Sequence, residues 1–380
     1  MQSNSTGAAR WIEGFDEHRE KYSRGSAEYG PSLAPLILDN LVVRRGDFTL
    51  GPINLQIPAR SVVALAGPSG SGKSSLLRGI SGLDTVSDGT VWLGSRELTH
   101  LDPSERRVGF VFQEAVLIPN MNARENIVFP LKIRRVDKDT QSEKLGGVVE
   151  ELEYDRRYLG MYEEQLPAGI RRLTTIGREH MHTVELFLLD EPMGHLDAHL
   201  RRAVRRVVSR VVHSMGKTTL LALNEAEEIM ALCDYVLVLD SGKAVEFGET
   251  GELYAHPKTM AGMETLSPLG VNSIEVEVRK ERTIPFDLSA SGVADGSYLL
   301  CFRPHEVRPG TERDIPVRQV RRSLYDSNTD LVSAECSEQK PSVTEEAAHL
   351  ITILLPREQK TVSHIRPLNH FLFPVDSGSR

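Results

Sequence analysis

Residues 67–75 read GPSGSGKSS, directly after the apolar run SVVALA and directly before SSLLRGI. This is the GxxxxGK[ST] spacing between a predicted strand and a predicted helix. The context makes it specific, because such a loop turns its backbone N–H groups toward phosphate oxygens. Gly67, Gly70 and Gly72 permit the tight curl, with Pro68, Ser69 and Ser71 between them. Lys73 is placed to reach β- and γ-phosphates, Ser74 to ligate Mg²⁺ through its hydroxyl, and Ser75 follows at the helix start. Gly makes up about 7% of an average chain, so a chance match is on the order of one in a hundred.

A second cluster closes the apolar run VELFLLDEP. A buried strand ending in Asp190 can hold Mg²⁺ through its water shell, and Glu191 next to it can polarise an attacking water. An acidic pair at a strand end is often no more than the start of a loop. Its company with Lys73 and Ser74 makes it a candidate here.

Strands alternating with helices must position both clusters. LILDNLVV, FTLGPINLQI and SVVALA read as strands, AVRRVVSRVVHSM as an amphipathic helix, and VELFLLD and YVLVLDSG as buried strands. The pattern predicts an α/β fold with a mainly parallel, covered sheet. Beyond Pro268 helical patterns fade, and SIEVEVRKE, SYLLCFRP and HLITILLP predict a separate small β-barrel or sandwich. Residues 1–35 are polar and Ser/Gly-rich, the composition of a mobile tail, with Trp11, Ile12 and Phe15 as possible docking points.

The 380 residues carry 45 Lys plus Arg against 53 Asp plus Glu, a formal charge of −8 that argues against a nucleic-acid partner. Cys233, Cys301 and Cys336 are odd in number and lack CxxC spacing, so a reducing compartment is expected and a zinc site is not. No apolar run approaches the roughly 18 residues of a spanning helix, and the N-terminus lacks signal-peptide order. His195 and His199 read as exposed histidines, and Arg201, Arg202, Arg205, Arg206 and Arg210 as a solvated or carboxylate-paired helix face.

Taken in order, these stretches resemble the ATPase subunits of ABC transporters. VGFVFQEAVLIPNMNARENIVFPL resembles the family's Q-loop, with Gln113 as its glutamine, and the segment that receives the membrane subunit. GHLDAHLR resembles the D-loop, with Asp197 as its acidic residue. ELYAHP, SPLGVN, CFRPHEVRPG and NHFLFPVDSG resemble the OB-like regulatory extension of carbohydrate-importer ATPases. The resemblance implies a P-loop ABC ATPase domain, a RecA-like core plus helical subdomain, over residues 36–265, and a small all-β OB-like regulatory domain over 266–380. It implies ATP and Mg²⁺ as cofactors, with Ser74, Gln113 and Asp190 about the metal and Glu191 and Gln113 as catalytic groups. It also implies integral-membrane permease subunits and a second ATPase subunit as partners, and a peripheral place on the cytoplasmic face of the membrane.

Three departures from the family pattern stand out. Its LSGGQ signature falls on Leu166, Pro167, Ala168, Gly169 and Ile170. In the family this turn starts a helix and faces the ATP held by the other subunit of the dimer. Pro167 offers neither hydroxyl nor N–H, and a hydrogen bond to a charged group is worth roughly 1.5–3 kcal/mol. Pro does suit a first helical turn, so the helix itself is expected to survive. Asn224 takes the place of the switch histidine that contacts the γ-phosphate; it can donate from its amide but carries no proton. Either Arg45 or Phe48 covers the adenine face, where the family has an aromatic ring.

The expectation is therefore an importer ATPase for a sugar or polyol, with pairing to a non-identical subunit that supplies an intact signature as one arrangement and a homodimer as the other. Its alternatives are a sulfate or polyamine importer ATPase and a regulatory pseudo-ATPase subunit with little turnover. A DNA-repair or translation ABC protein fits poorly, since those usually carry two ATPase units or long inserts.

Overall fold

The computed structural model describes residues 34–284, 286, 288–310, 314–325, 329–336, 350–356 and 363–375. The expected tail lies outside them except for Ala34 and Pro35. The chain divides between His256 and Pro257 into two compact units, and the sequence expectation had placed the change of domain at 265/266.

The first unit opens with β1 (Leu36–Arg45) and β2 (Phe48–Ile57), then β3 (Val62–Ala66), α1 (Lys73–Ser81), β4 (Val86–Leu93), β5 (Arg96–Glu97) and β6 (Val108–Val111). Three helices follow, α2 (Ala123–Ile133), α3 (Lys138–Glu151) and α4 (Ala168–His180). The unit ends with β7 (Leu186–Asp190), α5 (Ala198–Ser214), β8 (Thr218–Ala222), α6 (Ala226–Leu232), β9 (Tyr235–Asp240), β10 (Lys243–Glu249) and α7 (Thr250–Ala255).

Its central sheet has the order β10-β9-β3-β8-β7-β6. The strands from β9 to β6 run parallel, and β10 pairs antiparallel at the edge. Every residue of β3, β7 and β8 is buried, as a parallel sheet covered on both faces requires. In α5, Val204, Val207, Val208, Val211 and Val212 are buried at helical spacing, so this helix packs its valine stripe inward and leaves Arg202, Arg206 and Arg210 exposed. An antiparallel sheet, β2-β1-β4-β5, shares one apolar core with the parallel sheet through Leu50, Leu65, Leu76, Leu188 and Leu220.

The second unit begins with α8 (Met260–Thr265) and continues as strands β11 (Asn272–Arg279), β12 (Arg282–Ile284), β13 (Gly296–Phe302), β14 (Val307–Pro309), β15 (Ile315–Leu324), β16 (Thr329–Cys336), β17 (Leu350–Pro356), β18 (His364–Pro367) and β19 (Phe371–Pro374). They form two antiparallel sheets, β12-β11-β13-β19 and β14-β18-β15-β16-β17, around a core that includes Ile274, Phe302, Val332 and Ile353. The fading of helices beyond Pro268 thus corresponds to an all-antiparallel β unit of OB-like character.

Candidate active site

The loop between β3 and α1 is shaped by its glycines. Gly67, Gly70 and Gly72 have φ of 134°, 81° and 110°, a region that disfavours side chains. A Cβ on Gly67 would stand 1.9 Å from the Leu239 carbonyl oxygen, and one on Gly72 would stand 2.7 Å from Leu50 Cδ1. The loop therefore lies hard against β9 and β2, and its backbone cannot be remade with larger residues. Ser71 Oγ is buried in the loop without a hydrogen-bond partner, a donor in want of an acceptor.

Lys73 is buried, and its Nζ donates to the carbonyls of Gly67 at 2.7 Å and Pro68 at 3.0 Å. Two of its three protons are thereby spent within the loop. Burial pushes its ammonium below the ordinary lysine range, while the charges of Glu191 and Asp190 pull it back up. Ser74 Oγ donates to Asp190 Oδ1 at 3.0 Å, which joins the first residue pair of α1 to the end of β7. Burial raises the Asp190 carboxyl, the Ser74 hydrogen bond works against that shift, and Glu191 adds to it.

Glu191 turns out of the strand at φ 43°. Both of its carboxylate oxygens are engaged: Gln113 Nε2 donates to Oε2 and Asn224 Nδ2 to Oε1, each at 2.9 Å. Gln113 Nε2 also stands 3.5 Å from His195 Nε2. His195 is exposed, as expected, yet it belongs to the surroundings of this carboxylate. Asp197 caps α5, its Oδ1 accepting from the backbone N–H of His199 at 2.9 Å and of Leu200 at 3.0 Å.

The turn LPAGI does start a helix. α4 begins at Ala168, with Pro167 at the capping position at φ −58° rather than inside the first turn, and the Pro167 carbonyl accepts from Arg171 N at 2.9 Å. Leu166 and Gly169 are buried, whereas Pro167 and Ala168 are exposed. At the hairpin from β1 to β2, Arg45 is exposed and pairs with Phe48, whose ring lies against the loop at Gly72. Of the arginine run, Arg201, Arg205 and Arg210 pair with Glu225, Glu227 and Glu153.

Two arginines that the sequence reading passed over support this site. Arg172 is buried and donates to the carbonyls of Phe112, at 2.6 Å, and Gln113, so the helix that starts within LPAGI grips the backbone carrying Gln113. Arg106 is buried and donates to the carbonyls of Gly79 and Ile80, the last turn of α1, as well as to Leu101 and Thr99. Neither arginine sits in a motif that names its acceptors, so the sequence carries no signal for these contacts.

Residues 50–194 match the family model described as ABC transporter. The sn-glycerol-3-phosphate import ATP-binding protein of Ruegeria pomeroyi is 34% identical over 292 residues, covering 75% of this chain and 82% of the relative. The chain belongs to the ABC transporter family. This ABC ATPase is also 32% identical over 297 residues to the maltose/maltodextrin import ATP-binding protein of Salmonella typhimurium, covering 74% of this chain and 80% of that one. The sulfate/thiosulfate import ATP-binding protein of Mesostigma viride is 32% identical over 274 residues, covering 72% and 78%. Among solved structures, a dimeric post-hydrolysis state of the ATP-binding cassette MJ0796 bound to ADP and Pi superposes with a TM-score of 0.51 at 25% identity, covering 57% of this chain and 98% of that one. No described helix is long and apolar enough to cross a membrane.

Proposed function

We propose that this ABC ATPase is the ATP-binding subunit that energises an importer for a sugar or related polyol, working on the cytoplasmic face of the membrane with permease subunits and a second ATPase subunit. The observation that carries the reading is the contact between Ser74 and Asp190, which unites the phosphate loop with the acidic strand end beside Glu191. The importer class is supported by relatives whose names assign them to glycerol phosphate, maltose and sulfate import. The preference for a sugar or polyol over sulfate rests on the first two.

The residues fit Mg-ATP. Ser71 Oγ supplies an unused hydroxyl and Lys73 one unspent proton, and Ser74, Asp190 and Gln113 form an all-oxygen donor set suited to a hard cation. Mg²⁺, when bound, neutralises charge on the β- and γ-phosphate oxygens. Lys73 moves from the loop carbonyls to phosphate, Glu191 orients the attacking water, and Gln113 and Asn224 fix its carboxylate. Either Arg45, exposed at the hairpin, or the partly buried Phe48 covers the adenine face.

Pro167 and Asn224 favour reduced turnover. Asn224 stands in the half-site this chain builds with its own phosphate loop, whereas Pro167, Ala168 and Ile170 face the nucleotide of the other subunit. Paired with a subunit whose signature is intact, each composite site carries one defect; in a homodimer each carries both. A regulatory subunit that clamps ATP and turns it over poorly is the second reading, on the same two residues. Titration calorimetry with Mg-ATP tests the proposal: binding lost in Lys73→Ala is expected, and no binding by the unaltered chain contradicts it.

A further inference from the structure

β6 ends at Val111, whose register partner on β7 is Leu189, so the strand ladder stops before Phe112 and Gln113. Phe112 is 41% exposed, Gln113 is half-buried, and the next deeply buried side chain along the chain is Leu117. Apolar packing therefore gives this stretch little hold. Gln113 nevertheless keeps Nε2 at 2.9 Å from Glu191 Oε2, a contact that a long side chain on a loose backbone would lose to rotamer freedom.

The hold comes from the helices. Arg172 in α4 is 4% exposed and commits its guanidinium fork to two successive carbonyls, those of Phe112 and Gln113. Asn126 in α2 fastens the far end of the segment, accepting from Ile118 N at 2.7 Å and donating to Met121 O at 3.1 Å. A cation is a costly group to place here. Burial pushes the Arg172 guanidinium below the ordinary arginine range while the charge of Asp190 works the other way, and Nε is buried without a partner. A buried cation on neutral carbonyls is less favourable than an apolar side chain of similar length. What the arginine adds is two directed donors at one place on the main chain.

We propose that Arg172 is a positioning residue for hydrolysis, which fixes the main chain at residues 112 and 113 and so keeps the Gln113 amide on the Glu191 carboxylate. It acts through Gln113 and not on the reacting atoms. The consequence for rate rests on the proposed ATPase function, whereas the placement of Gln113 does not.

The test has two arms on the full-length chain. Crystal structures of the unaltered chain and of Arg172→Lys are expected to keep Gln113 Nε2 within hydrogen-bond distance of Glu191, and that of Arg172→Met to lose the contact. Gln113 still seated on Glu191 in Arg172→Met overturns the proposal. In the second arm, Arg172→Met, Arg172→Lys, Gln113→Ala and the double variant Arg172→Met with Gln113→Ala are compared in Mg-ATP affinity and single-turnover hydrolysis. Arg172→Met is expected to bind Mg-ATP within about twofold of the unaltered chain and to hydrolyse it roughly tenfold more slowly. Arg172→Lys, which keeps a donor for one carbonyl, should fall by no more than about threefold, and the double variant should be no slower than Gln113→Ala. A double variant roughly tenfold slower than Gln113→Ala, or an affinity that falls with the rate, overturns the positioning role. Arg172→Gln takes the place of Arg172→Met if the latter does not fold. An unaltered chain without hydrolysis refutes the proposed function alone, and the crystallographic arm then decides whether Arg172 places Gln113.

Discussion

Asn224 donates its side-chain amide to Glu191 Oε1 at 2.9 Å. An amide orients a carboxylate as an imidazole N–H does, but it neither gains nor loses a proton near neutrality. A histidine at this position would add a proton-carrying group that the asparagine lacks.

Asn224→His is therefore expected to raise hydrolysis at the site that uses Glu191, by about tenfold if the new contact forms only in the transition state. The gain should appear in single-turnover assays when a companion subunit with an intact signature is present. An unchanged rate would show that the asparagine is adequate.

Arg172→Met should free the backbone at Phe112 and Gln113, since both carbonyls lose their guanidinium donor. Amide exchange over residues 112–118 is expected to rise while exchange in β7 stays as it was. Equal exchange in the two proteins would show that Arg172 does not hold this segment.

Arg106→Met takes a donor from four carbonyls, of which Gly79 still accepts from the Gly82 N–H and those of Ile80, Thr99 and Leu101 lose their guanidinium partner. Each unsatisfied buried acceptor costs about 1–3 kcal/mol, so a loss of at least about 3 kcal/mol is expected after some rehydration. Urea unfolding of the first transition measures it, and a change below about 1 kcal/mol would contradict the assigned role.

Cys233 and Cys301 are both buried free thiols. Burial pushes Cys301 up to about 12 and Cys233 higher still, so at pH 8 neither presents thiolate. Peptide mass spectrometry after iodoacetamide treatment should find both unmodified in the folded chain and both alkylated in urea. Modification of either in the folded chain would show that its region opens.

The sequence made the strands and the phosphate loop readable because each depends on neighbouring residues: VVALA and LFLLD are apolar enough to be buried strands, and the glycines from 67 to 72 stand at fixed offsets. Asp190 and Ser74 could be paired from the order of motifs alone. The grips of Arg172 and Arg106 could not, because their acceptors are main-chain carbonyls of distant segments, which every residue possesses. The burial of Glu228 was hidden for a related reason, since charges on helices read as solvated and only tertiary packing buries its carboxylate. Pro167 was legible as a helix start, but its place at the cap instead of the first turn depends on a backbone angle.

The division of defects between two sites is the central claim, and Pro167→Ser tests it most directly. In a heterodimer reconstituted with a companion subunit, single-turnover hydrolysis is measured with each phosphate-loop lysine changed to alanine in turn. The restored hydroxyl should raise hydrolysis by tenfold or more, taking roughly 1.5–3 kcal/mol for a hydrogen bond to a charged group. That gain is expected at the site built on the companion's phosphate loop, and it should survive Lys73→Ala in this chain. A gain confined to the site containing Lys73, or no gain at either site, would contradict the account.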